Sequence, residues 1–158
     1  LSIWFGHGRT GEPNLSGVFH KGDNPVVEVL APATVIEGRL WVMVIDNTGK
    51  VFNLIPNINN DVTALSELGS MEDGVRRVRA LHSVEEFRGD TGLLAMQVTD
   101  SDFGKSEVIA ILTLSDLFDT RRPTDESVAS FANALSQAQK DNPGNIIGVA
   151  SRVLESRP

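Results

Sequence analysis

The chain has 158 residues, 41% of them hydrophobic, and a formal net charge of -7. That length and apolar content suit one folded domain with an ordinary core, and exclude a disordered chain. The acidic balance argues against a nucleic-acid backbone as partner, and the absence of Cys removes thiolate zinc sites, disulfides and Cys nucleophiles.

Residue 1 is Leu rather than Met, so an excised domain or a processed chain is expected. No stretch reads as a signal peptide or is long enough to span a bilayer. Leu1 to Phe5 reads as a short strand. Gly6-His7-Gly8-Arg9-Thr10-Gly11 matches the dinucleotide pattern G-x-G-x-x-G. That pattern works only where a helix begins and offers its first amides to a pyrophosphate. Here Glu12-Pro13-Asn14 follows with no helical apolar period, so the stretch is expected to be a Gly-rich loop.

Val18 and Phe19 precede a turn at His20 to Pro25, and Val26 to Leu30 reads as a strand. The best-defined stretch is Gly38 to Asn57. Leu40 to Ile45 puts Leu40, Val42 and Val44 on one face, and Trp41, Met43 and Ile45 on the other. With both faces apolar, the strand is expected to lie centrally, covered on each side. Asp46 to Lys50 supplies turn chemistry, with Gly49 free to take positive φ and the hairpin closed by a bulge. Val51 to Ile55 returns, and Pro56 stops the strand.

Further on, Ala64 to Leu68 reads as one helical turn, and Val75 to Leu81 as a strand carrying Arg76, Arg77 and Arg79. Those arginines are expected to be solvated or paired with nearby acids, with an anion site as the alternative. Phe87 to Gly92 reads as a turn, Leu93 to Val98 and Val108 to Leu114 as strands, and Thr99 to Glu107 as the loop between them. One long helix is predicted late, with Thr124 as N-cap and Val128, Phe131, Leu135 and Ala138 on one face. Ile146 to Leu154 reads as a last strand or a short helix, with the strand preferred. The whole of 1–158 therefore reads as a mainly β (α+β) single domain. It is expected to be an antiparallel β-sandwich-like fold with one long helix from the C-terminal region packed on it.

No catalytic signature appears. His7, His20 and His82 lie in no zinc-protease or nucleophile-elbow motif, so a hydrolase built on one of them is the lesser alternative. The binding residues expected are Trp4, Phe5, His7 and Arg9, an aromatic pair beside the Gly-rich loop. Calcium is the cofactor alternative to none. Asp100, Asp102 and Glu107 offer hard oxygens in one loop, although Asp-x-Asp-x-Gly-x-x-Glu is too short for an EF-hand.

Ala31-Pro32, Gly38 to Val42, and Asp46 to Asn57 together form a pattern. With Phe103 to Ala110, Leu117-Phe118-Asp119, Arg122-Pro123 and Glu126, it resembles a family of uncharacterised bacterial domains found C-terminal to Ser/Thr kinase or caspase-like modules. The resemblance covers most of the chain after Phe19. It implies a non-enzymatic accessory or sensor domain, extracytoplasmic or at the cell envelope, whose partner is a protein or an envelope component. It carries over no catalytic residue.

Overall fold

The structure is a computed structural model and describes residues 1–89, 92–101 and 103–158. Among the described residues, ten strands form two sheets. The first contains β1 (Ser2–His7), β3 (Pro25–Pro32), β7 (Val75–Leu81) and β6 (Ser70–Glu72), in that order. The second contains β2 (Val18–His20), β10 (Ile146–Arg157), β8 (Gly104–Thr113), β4 (Arg39–Ile45), β5 (Lys50–Ile55) and β9 (Asp125–Ser127), in that order. All pairings between these strands are antiparallel except β10 with β2. The fold is mainly β, with two packed sheets that do not close into a barrel and one main helix.

Strand β4 lies inside the larger sheet, between β8 and β5. Its alternation works as expected. Leu40, Val42 and Val44 pack into the core between the sheets, with Val27, Val29, Val78 and Val108. Trp41, Met43 and Ile45 pack on the other face with Ile111, Leu117 and Phe131. That second core lies under α2 (Val128–Asp141). Phe118 joins it by edge-on contacts to Trp41 and Phe131, both at 5.9 Å between centroids. The buried indole N–H of Trp41 donates to Thr113 Oγ1 at 2.9 Å, so neither polar group is stranded.

The hairpin turn is held by one carboxylate. Asp46 Oδ1 accepts from the amides of Thr48 (2.9 Å) and Lys50 (3.0 Å) and from the Thr48 hydroxyl (2.7 Å). Gly49 takes φ 83°, where a Cβ would be strained. The register shift lies away from the turn, because Val42 pairs with Ile55 and Met43 with Asn53. The extra residue is Leu54, and the shift lets the adjacent Leu54 and Ile55 both enter the core.

Several local expectations change. Leu93 to Val98 is not a ladder strand: Leu93 lies in a bend, and Ala95 makes an isolated parallel bridge to His82. Its neighbours are a turn and a strand end, so its backbone bonds go to Gly22, Asp23 and His82. Ser83-Val84-Glu85-Glu86 is a capping box that starts a short helix, α1 (Val84–Gly89), where a turn is expected. Ser83 Oγ accepts from the Glu86 amide and Glu86 Oε1 from the Ser83 amide. Asp90 and Thr91 of that expected turn lie outside the described residues. Helix α2 begins one turn later than Thr124. Residues 125–127 pair first with β5, and Ser127 caps the helix by accepting from the Ser130 amide. Strand β8 begins at Gly104, so Glu107 lies in a strand and not in a loop.

Candidate functional site

The four expected binding residues fall in different settings. Phe5 is fully buried between the sheets, against Phe19, with the Arg152 guanidinium 4.3 Å from its ring centre. It therefore contributes core and no surface. Trp4, one residue earlier, lies on the opposite face of β1. It is half-buried, its ring covers Gly6, and the Arg77 guanidinium stands 5.8 Å from its centroid. His7 stacks edge-on with Phe19 at 5.2 Å, and its Nε2 is 3.4 Å from Asn14 Nδ2. Arg9 is exposed on a crevice that it shares with His7, Glu12, Asp23, Glu85 and Arg88. Alternation and burial thus divide the set instead of assembling one patch.

The metal set fares similarly. Asp100 pairs with Lys21 at 2.5 Å and is exposed. Glu107 pairs in register with Ile45 and Val153, on the face of the sheet opposite Ser106 and Val108. Asp102 lies outside the described residues. Among the described residues, no three His, Asp or Glu side chains converge as a metal would need. His7 and His82 line separate clefts, and His20 ends β2 in solvent. Arg77 and Arg79 of β7 form ion pairs with Glu28, Glu72 and Glu86, the expected local pairing.

One large cleft was not anticipated. It has a volume of ≈ 640 Å³ and opens where the β4–β5 hairpin, the start of β8 and the end of β10 meet. Its floor is the inner face of the two sheets, at Val27, Leu81, Val108 and Leu154. One wall is Val44, Phe52 and Leu54. The run Leu94 to Val98 supplies a further part of the lining. That run is tied down by main-chain bonds from Val98 to Gly22 and Asp23, and by Asn24 Nδ2 donating to the Met96 carbonyl at 2.8 Å.

Around the mouth are neutral polar groups, among them Gln97, Thr99, Ser106 and Thr124. Asp46 and Lys50 are its only charged lining residues among those described. Burial pushes the Asp46 carboxyl up, but the Thr48 hydroxyl, the amides of Lys50 and Thr48 and the Lys50 ammonium outweigh it. The carboxyl is held below its ordinary value. Asp46 is therefore an ionised group already engaged by its own turn, and a poor general base. Chemically, the cleft can shelter hydrocarbon and offer hydrogen bonds at its rim.

Sequence periodicity cannot reveal this site, because its residues come from seven separated stretches of the chain. The readable part was the apolar run Leu93 to Val98, expected as a strand.

The fold and cleft define a two-sheet, mainly β domain with an open inter-sheet groove. Comparison with protein-family models, curated proteins and solved structures finds no match to this chain.

Proposed function

We propose that this chain is a non-catalytic binding domain, an accessory or sensor module of a bacterial protein. The inter-sheet cleft receives an apolar part of its protein or envelope-component partner. The observation that supports this reading is the cleft itself. It is concave and ligand-sized, with apolar walls and a few neutral polar groups at the rim, the usual make-up of a binding site. The resemblance noted above supports the accessory role.

The test is titration of the full chain with Nile red, a neutral apolar dye that fluoresces when sheltered from water. Saturable binding is expected. Ser106 faces the cleft from β8, and Ser106→Trp should weaken binding at least ~10-fold, about 1.4 kcal/mol, by filling it. Arg9→Ala, in the separate polar crevice, should leave binding unchanged. Equal binding by the wild type and a folded Ser106→Trp variant would reject the cleft as the site.

A further inference from the structure

We propose that the ligand class of the cleft is an uncharged amphiphile: a hydrocarbon body lying on the sheet floor, with a hydroxyl, ester or amide head at the mouth. This rests on the cleft being the binding site, and three features of the lining lead to it.

The floor and walls are hydrocarbon. Val44 and Phe52 are only half-buried, and Met96 at the rim is 39% exposed, so apolar surface remains for a ligand to cover. An apolar body is thus what the interior rewards.

The charges at the mouth offset each other. An anionic head reaching Lys50 also meets the ionised carboxylate of Asp46, and a cationic head reaching Asp46 also meets Lys50. A charged head would lose hydration at the mouth without gaining an unopposed partner. The chain's net charge of -7 adds a long-range penalty for anions.

The remaining rim groups suit a neutral head. The hydroxyls of Ser106 and Thr124 can donate or accept. A hydroxyl-bearing head can both donate to and accept from these two hydroxyls, whereas a carboxylate can only accept and a quaternary ammonium can make no hydrogen bond at all.

The experiment displaces Nile red from the full chain with three ligands sharing a dodecyl-length chain, each below its micelle threshold: monolauroylglycerol, laurate and dodecyltrimethylammonium. Monolauroylglycerol is expected to bind at least ~10-fold more tightly than either charged ligand at low ionic strength. Its affinity should not change between low and high salt, because no ion pair is being screened. Tighter binding of laurate that is lost in Lys50→Met would overturn the assignment, as would tighter binding of the cation that is lost in Asp46→Asn. Equal displacement by all three would reject the ligand class but leave the cleft standing. Displacement by none of them, with dye binding also unaffected by Ser106→Trp, would reject both.

Discussion

The two faces of the six-stranded sheet are built from the same strands but end differently. On the outer face, β4 and β8 meet α2, and the gap is filled by three interlocking aromatic rings, Trp41, Phe118 and Phe131. On the inner face, the same strands meet a smaller sheet. The core there is continuous around Leu40, Val42 and Val108 but opens at the hairpin end into the cleft. The outer face is closed by side chains from a regular helix, and the inner face only in part, by an irregular run. A helix with an apolar stripe covers a sheet as a unit. A run that spends its main-chain bonds on turns cannot extend the ladder, so it leaves a gap.

The largest expected effect comes from breaking the closed face. Phe131 is the buried anchor of α2, touching Phe118 and lying over the core of Trp41 and Met43. Phe131→Ala should cost about 3–5 kcal/mol, because it removes a buried aromatic ring and leaves a cavity that the helix only partly collapses into. Chemical denaturation would measure it. A loss below about 1 kcal/mol would mean that α2 adds little to the fold, and that the two faces are less different than their packing implies.

How much of this was legible follows from how local each signal is. The strand pattern of β4 is local, since alternation over six residues with bulky apolar side chains on both faces allows only an interior strand. The Asp46–Gly49 turn is local as well. The start of α2 was not, because Thr124 and Ser127 are both good caps in sequence. What decides between them is the pairing of Asp125–Ser127 with Lys50–Phe52, far away in the chain. Leu93 to Val98 has the composition of a strand and lacks only a ladder partner, which no local pattern reports. The capping box at Ser83 and Glu86 was readable and stands in the sequence three residues apart. The cleft was unreadable because it is a shape made where segments fail to meet.

A middle-sized effect concerns the edge of the closed face. Glu126 has a side chain only 4% exposed and pairs with Arg122, whose guanidinium also lies 5.6 Å from the Phe118 ring centre. Burial pushes the Glu126 carboxyl up. The hydrogen bonds from Arg122 and Ser130 and the Arg122 charge outweigh it, so the carboxyl lies below its ordinary value. In the unfolded chain it returns to about 4.3. Between the two values the unfolded state binds more protons, so the pair's contribution is full above about pH 4.3 and is lost as the pH falls through the folded value. Glu126→Gln should cost about 1.5–3 kcal/mol at neutral pH and flatten the acid limb of the stability curve. An acid limb of unchanged steepness would show that the carboxylate responsible lies elsewhere; Glu86 and Asp46 are the next candidates, since both are also held low.

The smallest effect tests the open face. Lys21 and Asp100 form an ion pair beside the run that walls the cleft, with side chains 57% and 78% exposed. Exposed pairs of this kind contribute about 0–1 kcal/mol, since water screens them and two long side chains lose freedom. The neighbouring wall has stronger ties: Val98 exchanges main-chain bonds with Gly22 and Asp23, and Asn24 holds the Met96 carbonyl. Asp100→Ala is therefore expected to shift stability by less than about 0.5 kcal/mol and to leave Nile red binding unchanged. Calcium against EDTA should produce the same thermal midpoint in the wild type and in the variant, because Asp100 is engaged by Lys21 while Glu107 projects from the opposite face of β8. A calcium-dependent rise in the wild type that Asp100→Ala abolishes would restore the acidic loop as a metal site. It would also mean that the wall of the cleft is set by an ion, and the contrast between the two faces would then depend on calcium as well as on packing.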